Sequence, residues 1–125
     1  MAILGGLLGN ASPIDEAEVR DELGKLLGEG EQVLRGYKLV RDLVVMTDRR
    51  LLLVDKQGLT GRKTEYRSVP YRSITNFSVE TAGHFDLDAD LKIWVSGIAE
   101  PIIKKFSRGA DVYEMQALLA RCVAK

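Results

Sequence analysis

One cysteine, one histidine and three prolines stand among 125 residues, and aromatic side chains make up 6% of the chain. A lone cysteine excludes an intramolecular disulfide, and with a single histidine no Cys-rich or His-rich metal cluster can be assembled. An excess of charge of one sign is missing too: 18 Lys and Arg face 18 Asp and Glu, for a net charge of zero. A protein that reads a nucleic-acid backbone carries a basic excess, so nucleic acid is not an expected partner. There is no long hydrophobic run. Met1 to Asn10 is apolar and uncharged, but it lacks a basic n-region and falls well short of the ~20 residues that cross a bilayer. A cytoplasmic location is expected, and no cofactor or metal is.

What is there is enough apolar residue, 46%, to build one ordinary core without a staple. In the first ten residues Gly5, Gly6 and Gly9 punctuate Ile3, Leu4, Leu7 and Leu8. Glycine costs a helix about 1 kcal/mol relative to alanine, so this segment is a weak helix former. Its four large aliphatics are candidates for an oligomer contact, or for a shallow contact with a membrane.

From Ser12 the signals are helical: Ser12 as cap, Pro13 at the first helical position, and Asp15, Glu16 and Glu18 where the helix dipole favours negative charge. Val19, Leu23, Leu26 and Leu27 fall on one stripe, and Gly28-Glu29-Gly30 supplies the stop. After Gly30 the period drops toward two. Strands are expected over 32–39, 43–47, 50–55, 63–69, 74–81, 89–96 and 101–106, paired as an antiparallel meander. In the strand 90–96, Leu91, Ile93 and Val95 share one face and Trp94 lies on the other. From Ala110 helical spacing returns, with Val112, Met115, Leu119 and Cys122 on one stripe. The organisation expected is an N-terminal apolar segment and helix over 1–30, followed by a mainly β domain over 31–125.

One helix, about seven short strands and a closing helix resemble the pleckstrin-homology fold. Particular phrases sharpen the likeness: Val45-Met46-Thr47-Asp48-Arg49-Arg50-Leu51, Val69-Pro70-Tyr71-Arg72-Ser73-Ile74, Phe77-Ser78-Val79-Glu80-Thr81-Ala82-Gly83 and Leu91-Lys92-Ile93-Trp94-Val95-Ser96-Gly97. Together they are similar to the bacterial pleckstrin-homology family, in a stand-alone single-domain form. The resemblance implies a partly open barrel of two bent antiparallel sheets, capped by the C-terminal helix and carrying an extra N-terminal helix. It also implies a non-enzymatic domain that builds symmetric homo-oligomers.

Catalytic patterns are absent from the residues themselves. Ser96 has Trp94 and Ile98 where a nucleophile elbow needs glycines. His84 falls in a loop and Cys122 on an apolar helical stripe, so nothing pairs them. Asp86, Asp88 and Asp90 imitate the start of a calcium loop, but Leu91 stands where glycine is required and Gly97 where glutamate is. Arg49 and Arg50 read as turn charges or salt-bridge partners. Lys38, Arg41, Lys56, Arg62 and Lys63 lie in or beside two interstrand loops. In pleckstrin-homology folds those loops share the open end of the barrel, which makes these five residues candidates for an anionic ligand or membrane surface. Only Lys38 and Arg41 bracket the first loop and Asp42 opposes them, so specific phosphoinositide binding is not expected.

The function expected is that of a self-assembling structural or interaction module. Its partner is itself, in a cyclic homo-oligomer larger than a dimer, and possibly another protein. The alternative is a binding module for anionic ligands or membrane surfaces that uses the basic loops.

Overall fold

The computed structural model describes residues 12–14, 16–39, 42–57, 63–81, 88–107 and 109–124. The chain divides into two compact units, Met1–Ser68 and Val69–Lys125.

The first unit holds strand β1 (Ser12–Ile14), helix α1 (Glu16–Leu23), strands β2 (Val33–Lys38), β3 (Leu43–Thr47) and β4 (Arg50–Gln57), and all but the last two residues of β5 (Lys63–Pro70). The strands form one five-stranded sheet in chain order, antiparallel where β1, β2, β3 and β4 pair. Every residue of β3 is buried, as a central strand covered on both faces requires. Leu43 pairs with Val54 and Val45 with Leu52, so these four aliphatics share one face. Val19 and Leu23 of α1 pack on that face, both essentially inaccessible. An eight-residue helix is too short to hold itself up in water, so this burial is what makes it a helix.

Two features of the N-terminus differ from expectation. Ser12 and Pro13 belong to a strand instead of capping a helix: Ser12 pairs with Lys38, Pro13 with Tyr37 and Ile14 with Gly36. Pro13 is tolerated there because β1 is an edge strand. The helix therefore begins at Glu16 and closes at Leu23, so only the first half of the apolar stripe reaches the core. Leu26 lies 37% exposed, in a turn where the amides of Leu26 and Leu27 bond back to Leu23 O.

The second unit opens with a turn of 3-10 helix at Tyr71–Ser73, then strands β6 (Ile74–Thr81), β7 (Ala89–Val95) and β8 (Ile102–Phe106) and helix α2 (Gly109–Val123). The three strands form an antiparallel sheet in the order β6, β7, β8. Ala89, Leu91 and Ile93 are buried on one face, and the α2 stripe Val112, Met115, Leu119 and Cys122 is buried as its spacing predicts. Trp94 is half-buried and lies on the opposite face. Gly97, at φ 85°, makes the turn between β7 and β8, a conformation open to glycine and costly elsewhere. Both sheets and both helices agree with the resemblance, with an eighth strand, β1, added at the edge of the first sheet.

Candidate functional site

A tightly held polar group among the described residues is one that no spacing rule singles out. Glu31, just before β2, is 2% exposed. Arg50, the first residue of β4, grips it with a two-point fork, Nε to Oε2 and Nη2 to Oε1, both at 2.9 Å. Thr47 Oγ1 donates to Glu31 Oε2 at 2.6 Å and Gly28 N donates to Oε1 at 2.9 Å. A buried carboxylate is tolerable only when its lone pairs are satisfied, and here four donors do so. The Arg50 fork is the largest influence on the carboxyl, and with help from Thr47 and Gly28 it outweighs burial. It holds the pKa at about 2 against an ordinary 4.5.

The same arginine donates to Leu26 O at 2.6 Å and Ser68 Oγ at 2.8 Å. Arg49 donates to Glu29 O at 2.9 Å and Arg20, from α1, to Glu31 O at 3.0 Å. Thr47 Oγ1 accepts from the amides of Arg49 at 3.1 Å and Arg50 at 3.0 Å, which closes the β3–β4 hairpin. Asp48 exchanges bonds with Gln32: its amide donates to Gln32 O and its Oδ1 accepts from Gln32 N, both at 2.9 Å. The hairpin tip is thus a clamp on the segment between α1 and β2. Arg50 is a salt-bridge partner, one of the two roles expected of it.

Of the candidate cations, Lys38 and Lys63 are exposed at the end of β2 and the start of β5. Lys56, near the end of β4, is engaged with Glu22 of α1 at 3.6 Å. Because Leu43 pairs with both Lys38 and Val54, the β2–β3 connection and the end of β4 share one end of the first sheet. Ser12 also pairs with Lys38, so the chain enters β1 at this end. Arg41, Arg62, Ile3, Leu4, Leu7, Leu8 and His84 lie outside the described residues. Asp42 and Asp55 are half-buried, and with Glu22 on Lys56 they set three carboxylates against the three lysines of the described part of this end.

In the second unit a shallow cleft is lined by Glu80, Thr81, Asp88, Asp90 and Lys105. Asp90 stands in register between Glu80 and Lys105, and Lys92 pairs with Glu80 at 3.3 Å. Among the described residues no group of three or more His, Cys, Asp or Glu is placed to hold a metal ion.

Known proteins agree with this architecture. A family model for the bacterial PH domain matches residues 2–123. An uncharacterized Bacillus subtilis protein, YjqA, is 56% identical over 121 residues, covering 96% of this chain and 97% of its own. A crystal structure of a DUF1696 family protein with a pleckstrin-homology domain, from Shewanella loihica, superposes with a TM-score of 0.81 at 47% identity, covering 92% of this chain and 98% of that one. A pleckstrin homology domain from Shewanella amazonensis gives a TM-score of 0.78 at 50% identity, covering 97% and 98%. The two antiparallel sheets, the closing helix and the matched length have one reading: the chain belongs to the bacterial pleckstrin-homology domain family.

Proposed function

We propose that this domain is a non-enzymatic, self-assembling interaction module that forms a cyclic homo-oligomer larger than a dimer. The observation that carries the reading is an exposed apolar side chain on the last strand of the second sheet. β8 is the last strand of its sheet, and at its centre Ile103 is 52% exposed. An exposed aliphatic on the last strand of a sheet suits contact with another chain. The apolar segment around Ile3, Leu4, Leu7 and Leu8 adds surface whose burial is worth roughly 25 cal/mol per Å². Closed symmetric association buries such surface without open-ended growth. Size-exclusion chromatography with light scattering tests the reading: the intact chain gives one multimer, and deletion of residues 1–10 lowers its mass while circular dichroism keeps its β signal. A monomer at micromolar concentration refutes it.

A second reading rests on one feature of the register. Lys38 and the entry of the N-terminal segment share an end of the first sheet, so an apolar segment and exposed lysines together suit an anionic membrane surface. Co-sedimentation with anionic liposomes that weakens as salt rises supports this reading, and no binding at low salt removes it.

A further inference from the structure

The N-terminal arm, β1 plus α1, is built like a ligand of the sheet it sits on. Residues 12–30 carry six acidic and two basic side chains, a net charge of −4, while residues 31–68 carry nine basic and five acidic, a net +4. The seat is the apolar face of Leu43, Val45, Leu52 and Val54, filled by Val19 and Leu23. At its border Lys56 meets Glu22 at 3.6 Å. An acidic amphipathic helix on an apolar face of a basic sheet is a complementary pair, and neither partner needs to come from the same chain.

The junction is suited to opening. At Gly24 a Cβ atom would lie 2.6 Å from Arg20 O, so only glycine lets the chain leave the helix here. Gly30 sits at φ 78°, a left-handed backbone. The seven residues from Gly24 to Gly30 reach about 24 Å when extended. On the far side of this hinge Glu31 is pinned to its own hairpin by Arg50. An opened hinge gives up the bonds of its own residues to the hairpin and to Glu31: Arg50 to Leu26 O, Arg49 to Glu29 O and Gly28 N to Glu31 Oε1.

We infer that the seat on the first sheet accepts the arm of a second copy of this chain, so that exchanged arms join neighbouring subunits. The contacts are the same in cis and in trans: β1 on β2, Val19 and Leu23 on the aliphatic face, Glu22 beside Lys56. Exchange therefore trades tether entropy and the hinge's own hydrogen bonds against the links it creates. Arm and seat are different surfaces, so each contact is head-to-tail, and a closed set of them is a ring. The inference rests on the self-assembly reading above and adds the joint.

The pair Glu22 and Lys56 reports it, because both side chains are more than 40% exposed and tolerate replacement. In full-length chains with Cys122→Ala, Glu22→Cys and Lys56→Cys are placed on one chain, or singly on two chains of different tag length that are co-expressed. A short bismaleimide is added, and the products are read on denaturing gels and by peptide mass spectrometry. Exchange predicts 22-to-56 links between chains: a ladder at multiples of the chain mass for the double variant, and a mixed-tag dimer for the co-expressed pair. If light scattering shows a multimer but the 22-to-56 link is confined to single chains, or does not form, arm exchange is wrong and the assembly reading stands. If the protein is monomeric, both fail.

Discussion

Replacing Glu31 with glutamine keeps the side-chain volume and removes the charge that Arg50, Thr47 and Gly28 converge on. The carboxyl sits at about 2 in the folded chain against 4.5 ordinarily. At about 1.4 kcal/mol per pH unit of displacement, ionised Glu31 contributes about 3 kcal/mol to stability at neutral pH. The sign follows from the direction: a depressed carboxyl stabilises fully above its unfolded value, and the contribution fades as pH falls from about 4.5 to about 2. Breaking one side of a buried pair costs roughly 3–5 kcal/mol. The lower end applies here, because the Arg50 side chain is 23% exposed and water can replace part of what it loses. Glu31→Gln should therefore unfold about 3 kcal/mol more easily at pH 7, a drop of about 10 °C in Tm for a domain of this size. Urea titrations of both proteins across pH 7 to pH 2 measure it. The gap should be widest at neutral pH and close in acid as the wild type protonates. Equal stability at pH 7, or a gap that persists at pH 2, refutes the reasoning.

Three further outcomes follow from the packing. Leu23→Ala opens a cavity under α1 beside Leu43, Val45, Leu52 and Val54, and should cost about 2–5 kcal/mol by chemical denaturation. Gly30→Ala and Gly97→Ala each force a side chain onto a left-handed backbone, at φ 78° and 85°, with no clash at either place. Both should lose about 1–2 kcal/mol from the backbone alone; no loss at either would mean the turn relaxes. Trp94 is half-buried, so its native emission should lie at shorter wavelength than in denaturant, and coincident spectra would contradict its packing.

Regular elements were legible where the period was strong and the neighbours local. The expected strands 43–47 and 74–81 coincide with β3 and β6. The four-residue stripe of α2 is buried in full, because a helix carries its own register from residue to residue. β1 was not legible: three residues with good capping chemistry became a strand only because β2 offered an edge twenty-two to twenty-six positions away. Glu31 was hidden for the same reason. Thr47 and Arg50 stand 16 and 19 residues further along the chain, and no spacing rule links a carboxylate to a hairpin folded back on it. Among the proposed basic residues, Lys56 turned out to be engaged by Glu22 of α1. A linear count of cations carries no information about which of them an acidic helix will neutralise.

Native mass spectrometry of the intact chain at micromolar concentration tests the central claim most directly. A cyclic module held together by shared surfaces predicts one charge-state series at a single integer multiple of the chain mass, three or greater, with no ladder of larger species. A series at the mass of one chain, or a continuous distribution of sizes, would contradict it.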